Sequence, residues 1–127
     1  MNHPEHDDQK AIFEFADLMS KQYPELELLT GSLNGVRLTI GQAMKAKRCG
    51  MKKGYPDMFL PVARGGYHGL FIELKPKTKP KRYPSKEQNS WLKRLNGQGY
   101  LSIVCWGRDA AQNVLISYVN ANISFER

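Results

Sequence analysis

The stretch "LFIELKPKTKPKRYPSKEQ", residues 70–88, opens as a strand and closes as a helix. Its first residues have the apolar, branched and aromatic composition of a buried strand. Side chains alternate along a strand, so Ile72 and Leu74 share one face and Glu73 and Lys75 share the other. A run of positive charge follows at once: Lys75, Lys77, Lys79, Lys81, Arg82 and Lys86. Pro76, Pro80 and Pro84 stiffen that run and favour extended backbone. Ser85 and Gln88 then have the spacing of a capping box, which predicts a helix with Trp91, Leu92 and Leu95 inward and Gly97 beyond its end. The reading turns on why a buried strand places Glu73 and Lys75 together, directly before a basic loop.

Working outward, two apolar runs, 57–63 and 69–75, flank the glycine-rich "RGGYHG" and predict a β-hairpin. Upstream, "TIGQAMKAKRCG" (39–50) reads as a helix, with Thr39 and Gln42 as a second capping box and Gly50 at its end. "LELLTGSLNG" (26–35) reads as a short strand running into a turn. Asn2 to Lys21 reads as the first helix, capped by Asn2, with Ile12, Phe15, Ala16 and Met19 as its apolar stripe. Downstream, "YLSIVCW" (100–106) is a buried strand, and Asp109 is expected to cap a last helix bearing Ala111, Val114, Leu115 and Tyr118 at helical spacing. The order helix, strand, helix, hairpin, helix, strand, helix predicts an α/β domain, a mixed sheet with helices on both faces. The 127 residues suit one domain, 1–127, around one core.

No apolar run approaches the roughly 20 residues of a membrane span, and no signal-peptide pattern follows Met1, so an intracellular, cytoplasmic protein is expected. Cys49 and Cys105 have no metal-site spacing and read as plain thiols. Residues 1–30 carry seven acids and two lysines, whereas 31–127 carry 17 Lys/Arg and five acids. A net charge of +7 with clustered cations suggests a polyanionic partner, most often nucleic acid. Besides the 75–86 arm, Lys45, Lys47, Arg48, Lys52 and Lys53 form a second cluster, so the two groups can grip duplex DNA from both sides. No helix reads as a major-groove reader, so recognition of structure rather than of base sequence is expected.

Asp57 begins the strand preceding Glu73 in the hairpin, so the two carboxylates can converge at one end of the sheet. Such a pair repels unless a cation lies between them, and oxygen ligands favour a hard ion, Mg²⁺ or Mn²⁺. Lys75 beside that ion can orient the attacking water and hold a scissile phosphate. A bare Glu-x-Lys is a short pattern that also suits an exposed surface pair; the preceding Pro-Asp and the basic loop are what shift it toward chemistry.

"YPD" followed after 15 residues by "ELK" resembles the PD-(D/E)XK nuclease pattern. More narrowly, "EHDDQ" (5–9), "LNGVR" (33–37), "KGYPDMFLPV" (53–62), "GLFIELK" (69–75) and "SKEQNSWLKRLNGQGY" (85–100) resemble the VRR-NUC domain in its short stand-alone phage and bacterial form. The resemblance spans nearly the whole chain. It implies a restriction-endonuclease-like core and a metal-dependent phosphodiesterase acting on DNA, phage or prophage sources included. By position it implies metal ligands at Asp57, Glu73 and the main-chain carbonyl of Leu74, and a catalytic lysine at Lys75. Glu5 would be an additional acid with Gln9 beside it, and Gln88 a supporting polar residue. Two of these have a local alternative: Glu5 lies three residues after Asn2, and Gln88 three after Ser85, as in a capping box.

The expected function is a Mg²⁺- or Mn²⁺-dependent DNA endonuclease, with four-way junctions as leading substrate and a homodimer as the acting form, since a near-two-fold junction needs two opposed cuts. A flap- or nick-directed nuclease and a non-catalytic DNA-binding module of the same fold are the alternatives. His3, His6 and His68 are expected on the surface, and Trp91 and Trp106, within apolar patterns, in the core.

Overall fold

The computed structural model describes residues 4–78 and 80–122, the side chains of Pro4 and Glu5 excepted. Four strands form one sheet in the order β1-β2-β3-β4, where β1 is Thr30–Gly31, β2 Met58–Leu60, β3 Leu70–Lys75 and β4 Leu101–Trp106. β3 is its centre. It pairs antiparallel with β2, Met58 facing Ile72 and Leu60 facing Leu70, and parallel with β4, Lys75 facing Trp106. The first five residues of β3 are buried, as a strand covered on both faces must be.

Four helices flank the sheet: α1 (Pro4–Met19), α2 (Ile40–Arg48), α3 (Lys86–Gly97) and α4 (Arg108–Val119). Leu70, Ile72 and Leu74 of β3 join Met58 and Leu60 in one apolar core with Ile12 and Ala16 of α1 and Ala111, Leu115 and Tyr118 of α4. The opposite face is aromatic. Phe71 stacks on Phe59 at 4.2 Å between centroids, with the edges of Tyr55 and Tyr100 against it. There α3 packs, burying Leu92. The alternation read from 70–75 thus divides the molecule: aliphatic core on one side, aromatic layer and the Glu73 face on the other.

The hairpin holds, and its turn explains the glycines. Arg64 and Tyr67 exchange backbone hydrogen bonds at 3.2 and 2.8 Å around Gly65 and Gly66, both with positive φ, which a tight primed turn requires. Both interior capping boxes are present, Thr39 with Gln42 and Ser85 with Gln88.

Three local readings are corrected. Residues 26–35 are not chiefly a strand: a 3-10 turn, Pro24–Leu28, buries Leu26, β1 holds only Thr30 and Gly31, and a second 3-10 turn follows at Leu33–Gly35. Pro24 sets the first turn, and the buried Leu26 and Leu29 recur at three residues rather than two. The last helix is capped by Gly107, not Asp109, because the Gly107 N–H donates to the Lys75 carbonyl at 2.8 Å and the chain turns there; Asp109 sits in the first turn. Neither tryptophan belongs to the apolar core. Trp91 is half-buried against Tyr55, and Trp106 is half-buried under the basic loop. Asn2 and His3 lie outside the described residues, and His6 and His68 are exposed. Among the described residues, no helix is long and apolar enough to cross a membrane.

Candidate active site

Asp57 immediately precedes β2, and the Met58–Ile72 register sets it across from Glu73. Both are buried, at 6% and 2% exposure. Burying two acids is unfavourable unless something compensates, and the surroundings are polar accordingly. The Leu74 N–H donates to Asp57 Oδ2 at 2.7 Å. The Asp57 carbonyl accepts the Ser32 N–H at 2.8 Å. The Asp57 carboxyl hydrogen-bonds the Glu73 side chain, and Gln88 Nε2 donates to Glu73 Oε2 at 3.2 Å.

Electrostatics follow from this crowding. Burial pushes the Asp57 carboxyl above the ordinary carboxylate range; the bond to Glu73, the Leu74 N–H and the Lys75 charge pull it part of the way back. Lys75 ends β3 on the Glu73 face, half-buried, its carbonyl tied to Gly107. In a strand the N–H and C=O of one residue point to the same side. The Leu74 carbonyl therefore points to the β2 side of β3, as its N–H does, past the last residue pair of β2.

Gln88 does both things its position suggested. Its Oε1 accepts the Ser85 N–H at 2.8 Å, closing the capping box, while its Nε2 reaches Glu73. Glu5 is in the first turn of α1 by its backbone, and its side chain is outside the described part. The start of α1 is nevertheless fixed: Arg108 Nε binds Asp8 Oδ1 at 2.9 Å, and Gln9 lies against Gly31, which pairs with Met58 beside Asp57. A Cβ at Gly31 would lie 2.9 Å from Gln9 Nε2.

Two residues were not singled out in the sequence. Asn34 donates to the carbonyls of Lys52 and Tyr55 at 3.0 and 3.1 Å and so shapes the loop that delivers Asp57; its signal was its place in "LNGVR". Gly54 in that loop has φ 82, and a Cβ there would come within 2.8 Å of Glu87 at the start of α3.

The cations lie before and after these residues along the chain. Lys45, Lys47 and Arg48 are exposed in the last turn of α2, where they also complement its dipole. Lys52 and Lys53 are exposed on the loop before Asp57, with Lys53 Nζ 3.7 Å from Glu87. Lys77, Lys81 and Arg82 are exposed on the loop after Lys75, and Lys79 lies outside the described residues. Lys81 Nζ sits 3.9 Å above the Trp106 ring.

Among the described residues no three His, Cys, Asp or Glu side chains cluster as a metal cage. What the site offers is two buried carboxylates and a main-chain carbonyl on the same side of β3, an oxygen-only set that fits a hard dication completing its shell with water.

A mixed sheet flanked by four helices, with acids and a lysine at its strand ends, is a restriction-endonuclease-like α/β core. The model of the VRR-NUC domain family matches residues 7–109, and the chain belongs to that family. A solved structure called a "VRR_NUC domain protein" is 29% identical, with a TM-score of 0.74 over 93% of this chain and 89% of that one. No curated protein matches the chain. The VRR-NUC domain is a nuclease-type domain, generally dependent on divalent metal, and the function class of this chain is that of a DNA nuclease.

Proposed function

We propose that the protein is a Mg²⁺- or Mn²⁺-dependent endonuclease that hydrolyses phosphodiester bonds in branched DNA, four-way junctions first among them. The observation that carries the reading is the buried Asp57–Glu73 pair with Lys75 beside it on the same sheet face. Asp57, Glu73 and the Leu74 carbonyl would hold the ion, with Glu5 as a further acid. The ion supplies Lewis-acid stabilisation of charge at the scissile phosphate when bound. Lys75 orients the attacking water and steadies the phosphate. Gln88 orients Glu73, as partners behind metal ligands do. Lys45, Lys47, Arg48, Lys52 and Lys53 on one side, and Lys77, Lys79, Lys81 and Arg82 on the other, hold the DNA backbone.

The acting form is a homodimer. One site per chain cannot make two opposed cuts, whereas a two-fold pair supplies both. Ile40 and Met44, one turn apart on α2, stay 83% and 55% exposed, and α2 buries no residue among those described, which supports an unfilled contact surface. Light scattering with and without junction DNA tests this; a monomer at all concentrations with junction cleavage intact would remove the dimer.

Cleavage of a panel of linear, flap, nicked and four-way DNA in Mg²⁺, Mn²⁺ or EDTA tests the activity. Metal-dependent cutting of the junction is expected. Cutting confined to flaps or nicks would move the substrate, and binding without cutting in any metal would leave a DNA-binding module.

A further inference from the structure

Among the described residues, Tyr83 is the one aromatic that stands mostly in solvent, at 71% exposure. A single exposed aromatic is ordinary on a protein surface; three observations set this one apart. Its backbone is held on both sides. The Arg82 carbonyl accepts the Trp106 Nε1–H at 2.7 Å, and Pro84 follows directly, then Ser85 caps α3. The pin is also close to the chemistry, since Trp106 is the register partner of Lys75. Finally, the ring is embedded in charge. Its edge leans on Trp106 at 6.0 Å, Lys81 Nζ lies 6.0 Å from its centroid, and Lys77 and Arg82 are exposed on the same loop.

A cationic track interleaved with an open aromatic face is the combination that binds unpaired bases while following their phosphates. Continuous duplex offers no open base face, because every base is stacked above and below. At a branch the stack is interrupted and a π-face becomes available. The lysines would therefore bind both forms, and the ring would favour one of them.

We infer that Tyr83 is a stacking platform for an unstacked nucleobase where the DNA duplex is interrupted, and that Trp106 is the positioning residue that presents it. The inference rests on the DNA-nuclease reading above and deepens it, by naming what separates branched from continuous substrate.

The test uses DNA with one 2-aminopurine: unpaired at the branch of a four-way or flap substrate, and paired within a linear duplex as control. Binding is followed in EDTA, where no cleavage intervenes. Wild-type protein is expected to quench the branch probe and to prefer branched over linear DNA. Tyr83→Ala should lose the quench and roughly tenfold in affinity for branched DNA, with linear affinity unchanged. Tyr83→Phe, which keeps the π-face, should retain both. Trp106→Phe, lacking the Nε1–H, should fall between. Wild-type quenching and affinity in Tyr83→Ala, or an equal loss on branched and linear DNA, would overturn the stacking role. Because these readouts need no metal, they separate from the nuclease reading: a wild-type protein that quenches the probe yet cuts nothing in Mg²⁺ or Mn²⁺ supports the platform and sinks the catalysis.

Discussion

The Asp57–Glu73 pair is costly to the metal-free fold, and that cost is measurable. Burial holds the Asp57 carboxyl above its ordinary range. A folded-state value above the unfolded one stabilises the fold below the unfolded value, and the contribution is lost as pH rises through the folded value. Metal-free wild-type protein should therefore lose stability as pH climbs out of the acid range. Asp57→Asn keeps an acceptor for the Leu74 N–H and a donor toward Glu73 without the charge. In EDTA, the gap in Tm between variant and wild type should widen with pH, by a few degrees, since about 1 kcal/mol moves a domain of this size by roughly 3–6 °C. Parallel Tm–pH curves would contradict the buried pair. At this scale much was legible. The alternation at 70–75 set Glu73 and Lys75 on one face, and the hairpin pattern brought Asp57 opposite. The Leu74 N–H bond to Asp57 and the shaping of the 52–56 loop by Asn34 were not, because both join residues 17 or more positions apart.

At the scale of elements, the start of α3 joins folding to the site. Ser85 and Gln88 cap the helix reciprocally, and Gln88 alone also touches Glu73. Ser85→Ala and Gln88→Ala should each cost stability, about 1 kcal/mol for the lost Ser85 cap by urea denaturation. Only Gln88→Ala should in addition weaken Mn²⁺ binding, roughly tenfold by calorimetric titration, as loss of a supporting partner does. Equal Mn²⁺ affinity in the two variants would return Gln88 to capping alone. Both interior capping boxes were readable because a cap is a contact between residues three apart. Asp109 was misread for the converse reason. The helix start is decided by the Gly107 N–H bonding back to β3, a contact across 32 positions of chain that no local pattern carries. Trp106 misled similarly: its apolar neighbours in β4 suggest burial, but it lies at the strand end, where the returning loop covers it.

Across the whole molecule, the exposed cations divide along the chain into a group before Asp57 and a group after Lys75, the two groups proposed to hold the DNA backbone. The two groups are not equivalent in detail. Lys81 Nζ lies over the Trp106 ring, whereas Lys77 and Arg82 are exposed on the loop. DNA affinity should fall by about 0.9 log units per log unit of salt for each phosphate contact on duplex. Replacing Lys77 and Arg82 together by Ala should flatten that slope by up to about two contacts, and Lys81→Ala should flatten it less. Unchanged slopes by fluorescence anisotropy would return the loop to a solvated surface.

On the proposed reading, Lys75 acts in chemistry at the Asp57–Glu73 pair rather than as one more surface cation. The most direct measurement is the single-turnover rate of four-way-junction cleavage by Lys75→Ala in Mn²⁺, with protein saturating the DNA. Saturation removes binding from the comparison, and the residues proposed to hold Mn²⁺ are untouched. The rate should fall by about 100-fold or more, since misplacing the reacting groups alone costs that much. Cleavage at the wild-type rate would make Glu73 and Lys75 a structural pair and contradict the account.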